Sequence, residues 1–145
     1  MIRKAEMKDY LDIARLSGVL GYPISEVAVK KNLARILKDA EHEFLVFELG
    51  ERVTAFIEAE IYAPVYAPVY AEQVMLNVLG LVVDEKNQGQ GIGAQLLNAL
   101  EEKAKAREIK VIRLNSGVKR HEAHQFYEHQ GYTSNHSQKR FLKFL

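Results

Sequence analysis

The spacing of apolar positions changes several times along the chain, and each change marks an element. Met1–Lys4 suits a short strand. Tyr10, Leu11, Ile13, Ala14 and Ser17 share one face of a helix, with Asp9 placed as its N-cap and Gly18, Gly21 and Pro23 expected to break it. Ser25 then opens a second helix in which Val29, Leu33, Ile36 and Leu37 recur at helical spacing. From Phe44 the chain turns to strands. Phe44–Leu49 and Arg52–Tyr62 read as a pair joined at Gly50-Glu51, with Val53, Ala55, Ile57 and Ala59 alternating with polar residues in the second. Val74–Val83 is almost continuously apolar, as in a strand covered on both faces. Leu96, Leu97, Leu100 and Ala104 form the inner face of another helix, and Val111–Leu114 reads as a buried strand. Ala123, Phe126 and Tyr127 then sit at helical spacing before Gly131, which is placed to end their helix. Phe141–Leu145 is expected as a closing strand. The order β-α-α-β-β-β-α-β-α-β describes a mixed α/β sheet in a single domain over residues 1–145, with no linker-like stretch.

One segment stands outside this pattern. Tyr62 to Tyr70 repeats Tyr-Ala-Pro-Val, and Pro64 and Pro68 cannot donate to a sheet, so a loop or a protruding hairpin tip is expected. Tyr62, Tyr66 and Tyr70 could line a pocket for a cationic amine. The favoured reading is structural, with the tip capping the sheet or meeting a second subunit.

Composition narrows the chemistry. The chain has 145 residues, a formal net charge of +1 and no cysteine. Disulfides, thiolate nucleophiles and cysteine-based zinc sites are excluded. The charge balance offers no field for nucleic acid or an anionic membrane. The apolar run at Val78–Val83 is far too short to span a bilayer, and the first residues lack the apolar core of a secretory signal, so the cytoplasm is the expected location. His121 and His124 stand one helical turn apart without further ligands at recognisable spacing, so no metal site is expected.

The informative stretch is Gln88-Gly89-Gln90-Gly91-Ile92-Gly93-Ala94, between a buried strand and a helix. Amides at a helix start lack internal partners and can point at an anion, and glycines allow close approach and positive φ. A diphosphate would suit such a loop. Gly93-Ala94-Gln95 lacks the Gly-Lys-Ser/Thr ending of a P-loop. Gly89, Gly91 and Ala94 match the dinucleotide-binding fingerprint, but the next strand ends Leu114-Asn115-Ser116 without the acidic residue that fingerprint expects. From spacing alone, an ordinary strand–turn–helix with flexible glycines stays open.

Gln88-x-x-Gly91-x-Gly93 resembles the pyrophosphate signature of the GNAT N-acetyltransferases, Arg/Gln-x-x-Gly-x-Gly/Ala. Ala123-His124-Gln125-Phe126-Tyr127-Glu128-His129-Gln130-Gly131-Tyr132 is similar to that family's Ala-x-x-Phe-Tyr-Glu-x-x-Gly-Phe/Tyr segment. The two motifs occur in the family's order and separation, and the resemblance is strong from about Asn77 to Tyr132. It implies a mixed, mostly antiparallel sheet whose splayed parallel strands, Val74–Val83 and Val111–Leu114, hold acetyl-CoA as cosubstrate. It places the pantetheine arm along Leu81, Val82 and Val83. It places the pyrophosphate on the amides of Gln88, Gly89, Gln90, Gly91, Ile92, Gly93 and Ala94. Asn115, Arg120 and Ala123 are expected to contact cofactor or substrate.

The same resemblance implies direct attack of an amine on the thioester, with Tyr127 as general acid toward the departing thiolate. The rival for Tyr127 is a core tyrosine. In the branch that acetylates ribosomal-protein N-termini, a Glu stands twelve residues before the Tyr; here that position is Asn115, an amide that is no base. The base is therefore open among Glu58, Glu60, Glu72, His121 and a water. The expected partners are acetyl-CoA and an amine of a small molecule or peptide, with no nucleic acid or membrane, and the family admits a homodimer. The alternative is a catalytically silent GNAT-fold module that binds CoA.

Overall fold

In the computed structural model, which describes residues 1–65 and 74–145, five strands form one sheet in chain order. They are β1 (Ile2–Lys4), β2 (His42–Leu49), β3 (Arg52–Tyr62), β4 (Met75–Val83) and β5 (Val111–Leu114). Every neighbouring pair is antiparallel except β4 and β5, which are parallel. The helices are α1 (Tyr10–Leu20), α2 (Glu26–Ile36), α3 (Ile92–Ala106) and α4 (His121–His129). The described residues form two compact units, Met1–Leu114 with the whole sheet, and Asn115–Leu145 with α4.

Strand alternation builds the core of the first unit. Phe44, Val46, Phe56 and Val82 pack on one face against Ile13 and Leu16 of α1 and Val29 and Leu33 of α2. Leu45, Ala55 and Ile57 turn to the other face, where α3 lies with Leu96, Leu97 and Leu100 fully buried. β4 is covered on both sides, as its unbroken apolar run requires.

Ser25 caps α2 as expected, its Oγ accepting from the Ala28 amide at 3.1 Å. Two local expectations are corrected. Gly18 lies inside α1, and the helix ends at Gly21, whose φ of +104° is the left-handed cap that favours glycine. Asp9 precedes α1, but its carboxylate makes no cap to that helix. It accepts two bonds from Arg3, both at 2.8 Å, and one from the Glu6 amide at 2.8 Å. The longer-range charged partner wins because a two-pronged guanidinium bond is worth more than a single amide.

Burial would raise the Asp9 carboxyl, but the Arg3 and Glu6 hydrogen bonds outweigh it and hold the group below its ordinary value. A depressed carboxyl stabilises the fold fully above its unfolded value and loses that contribution as pH falls through the folded one. Asp9→Asn is therefore expected to destabilise the protein by about 3 kcal/mol at pH 7. In urea melts, the gap to wild type narrows below about pH 4; a gap independent of pH would show that the ion pair is not its source.

Two further differences concern strands. Residues 141–145 form no strand, and Phe141 and Phe144 are 87% and 92% exposed, since no strand among the described residues pairs with them. β5 is only partly buried, because it lies at the sheet edge with β4 as its one neighbour there. Tyr66, Tyr70 and Glu72 lie outside the described residues.

Candidate active site

β4 organises the site. Its parallel pairing with β5 runs from Met75 opposite Val111 to Val78 opposite Leu114 and stops there, while β4 continues to Val83. Over Leu79–Val83 the strand stays bound to β3 on one flank only. Among the described residues no strand pairs with its other flank, where alternate amides and carbonyls could pair with an extended guest. A bulge marks the point of divergence. Gly80 pairs with Glu58 and Val78 with Ala59, which leaves Leu79 as the extra residue.

The strand end runs straight into the glycine loop. Arg15 on α1 donates to Asp84 Oδ2 at 2.6 Å and to the Val53 carbonyl at 3.0 Å, which fixes the exit from β4. A short 3-10 turn at Glu85–Asn87 follows, and Gln88 Nε2 donates back to the Val83 carbonyl at 3.0 Å. Gly89 and Gly91 have φ of +78° and +80°, and a Cβ at either would meet nothing within 4 Å. α3 begins at Ile92 with no side-chain cap and no acidic residue in its first turn. Its leading amides are thus free for an anion in an open, glycine-lined cradle, at the positive end of a helix of 15 residues. The Ile92 side chain is buried in the core, so its part in the cradle is its backbone.

Beyond the end of α1, the face shared with Phe44 and Phe56 turns polar. Leu20 covers Gly80, where an added Cβ would stand 3.3 Å from Leu20 Cδ2. Past this point His42, Glu60, Asn77 and Arg113 lie side by side across β2, β3, β4 and β5. Glu58 and Tyr62 flank Glu60 on the same face of β3. His42 Nε2 and Glu58 Oε2 are 2.6 Å apart; an ionised carboxylate only accepts, so the histidine carries the proton of this bond. The Arg113 guanidinium stands 4.4 Å above the Tyr62 ring, and its Nη1 donates to Asn77 Oδ1 at 3.4 Å. His42, Asn77 and Arg113 were not foreseen. Their nearness depends on strand register, which no local motif encodes.

The second unit carries Asn115, Arg120, Ala123 and Tyr127. Gly131, with φ of +90°, closes α4 as expected. Tyr127 is partly buried, with ring contacts to Phe126 at 5.2 Å and Tyr132 at 6.0 Å between centroids. Burial pushes its phenol up, and the nearby Arg120 charge offsets part of that rise. His124 Nε2 is bound to the Gly117 carbonyl at 2.8 Å, and the His121 ring meets the His124 ring edge-on. Among the described residues no group of three or more potential metal ligands comes together.

The model of the acetyltransferase (GNAT) family matches residues 7–132. The chain belongs to the GNAT family. An aminoalkylphosphonate N-acetyltransferase of Salmonella typhimurium is 42% identical over 65 residues, a stretch that takes in 45% of this chain and 41% of that relative. Two solved structures share this chain's fold at low identity. A transcriptional regulator from Bacillus halodurans C-125 is 24% identical with a TM-score of 0.86, over 99% of both chains. An aminoglycoside antibiotic 6'-N-acetyltransferase from Acinetobacter haemolyticus is 17% identical with a TM-score of 0.86, over 100% of this chain and 99% of that one. GNAT acetyltransferases use acetyl-CoA as cosubstrate, and the residues here suit its chemistry. The open flank of β4 offers hydrogen bonds to an amide-bearing arm, and the loop offers free amides and positive-φ glycines to a diphosphate.

Proposed function

We propose that this protein transfers the acetyl group of acetyl-CoA to a primary amine of a small molecule or peptide by direct attack. The observation that carries the reading is the end of β4: an unpaired strand flank, Leu79–Val83, that leads without interruption into the cradle at Gln88–Ala94. The backbone at Leu81, Val82 and Val83 would align the pantetheine arm and polarise the thioester carbonyl. The amides of Gln88, Gly89, Gln90, Gly91, Ile92, Gly93 and Ala94 would take the pyrophosphate. Ala123 is assigned to the cofactor side by its place in the family motif, and Asn115 and Arg120 to contacts with cofactor or substrate.

The amine nitrogen bonds to the thioester carbon, the carbon–sulfur bond breaks, and the sulfur leaves with the electron pair. Proton movements complete the exchange. An acceptor that arrives as an ammonium first loses a proton to become the attacking amine, and Glu58 is the base we assign, held by His42 beside the β4 bulge. After attack the nitrogen carries a positive charge and gives up its second proton to solvent. The departing thiolate takes a proton from the Tyr127 phenol, the position of the family's general acid.

No helix among the described residues is long and apolar enough to cross a membrane. The near-neutral charge supports a reading without nucleic-acid or membrane partners and with a cytoplasmic location. A homodimer is proposed from the family habit. The family match runs through both compact units, which supports one working domain over residues 1–145.

The deciding measurement is release of free CoA thiol from acetyl-CoA across a panel of primary amines. Acetyl-dependent release with at least one amine is expected. Tight acetyl-CoA binding without turnover on any amine would instead establish a silent CoA-binding module. In the same titrations Gly91→Val is expected to weaken acetyl-CoA binding by about thirtyfold, because a β-branched residue strains at this positive φ and crowds the cradle.

A further inference from the structure

We infer that the acceptor carries an anionic group close to its amine, and that Arg113 receives it across the polar end of the sheet. The inference rests on the acetyl-transfer reading and names its acceptor class. Arg113 has five N–H donors, and its one side-chain hydrogen bond among the described residues, to Asn77 Oδ1, is long at 3.4 Å. Among the described residues no carboxylate lies within 4.0 Å of it, although it is partly buried. Its plane is held by the Tyr62 ring at 4.4 Å. A guanidinium that is oriented, partly desolvated and without a counter-ion among the described residues is suited to receive a carboxylate or a phosphonate.

The opposite side of the same face is acidic. Glu60 stands across from Asn77, and its carboxylate has no hydrogen-bond or ion-pair partner among the described residues. Glu58, with His42, lies opposite Gly80 at the bulge where the β4–β5 pair opens. The face therefore presents negative charge from β3 and, from β5, a positive charge with no carboxylate partner among the described residues. Glu60 and Arg113 do not neutralise each other, since β4 lies between them. β3 and β5 are two strand spacings apart, roughly 10 Å between backbones. A molecule of a few carbon atoms would span that distance over β4. Its ammonium meets the carboxylates and its anion meets Arg113.

The test compares kcat/KM for acceptors of matched length: n-propylamine, β-alanine, 2-aminoethylphosphonate and 1,3-diaminopropane. Wild type is expected to favour β-alanine or 2-aminoethylphosphonate over propylamine by about thirtyfold or more. The two anionic arms separate a carboxylate receptor from a phosphonate receptor. Arg113→Met keeps the aliphatic stem on Tyr62 and is expected to collapse the ratio of anionic amine to propylamine toward unity, while Arg113→Lys retains part of it. Equal rates on propylamine, preference for the diamine, or a ratio that survives Arg113→Met would each overturn the inference. The wild-type ratio alone decides if Arg113→Met fails to fold. Turnover of amines without anion preference removes this inference and leaves acetyl transfer standing, whereas no turnover on any amine removes both.

Discussion

Tyr127→Phe is expected to lower kcat by about a hundredfold to a thousandfold with little change in acetyl-CoA affinity. The substitution deletes one hydroxyl and leaves the ring contacts with Phe126 and Tyr132 in place. On the proposed mechanism, what it removes is the proton for the departing thiolate. The pH profile offers an independent check. Burial raises the Tyr127 phenol despite the opposing Arg120 charge, so the folded protein keeps the proton to higher pH than free tyrosine does. A general acid works only while protonated, so activity dependent on Tyr127 should persist to at least about pH 10. A variant that keeps most of its kcat would remove Tyr127 from the chemistry and return it to a packing role.

The second large effect concerns the acceptor's proton. Glu58→Gln is expected to reduce kcat/KM by about a hundredfold at pH 7. Glutamine matches glutamate in shape, and its carbonyl oxygen can still accept from His42, so the β2–β3 cross-strand contact survives. The function lost is proton acceptance. Raising the pH supplies more neutral amine from solution, so the deficit should shrink at pH 9. A structural contribution would show no such trend. A loss below about threefold that is flat with pH would point to another base, with Glu60 next because it lies on the same face without a partner among the described residues.

How much of this was legible beforehand differs by element. β3 was read with its observed ends, Arg52–Tyr62, because alternation and the Gly50 turn are local properties. α3 was legible from Leu96, Leu97, Leu100 and Ala104, all buried in the structure. Asp9 was misassigned as a cap because its stronger partner, Arg3, comes from a neighbouring strand. Gly18 was read as a breaker, yet packing against the sheet carries α1 past it, since tertiary contact outweighs a propensity cost of about 1 kcal/mol. Phe141–Leu145 has strand-like composition, but composition alone does not supply a neighbouring strand.

The glycine loop and the Ala123–Tyr132 segment are contiguous in the chain, and contiguity is what made family and cosubstrate readable from residues alone. The acceptor side has no such contiguity. His42, Glu58, Asn77 and Arg113 come from four strands and meet only because Glu60 pairs with both His42 and Asn77, and Asn77 with Arg113. A shift of register by one residue would turn each of these side chains to the opposite face. The sequence by itself thus determined what the protein binds as donor. Tertiary structure alone decided which charges share that face of the sheet, because strand register is set by packing of the whole sheet.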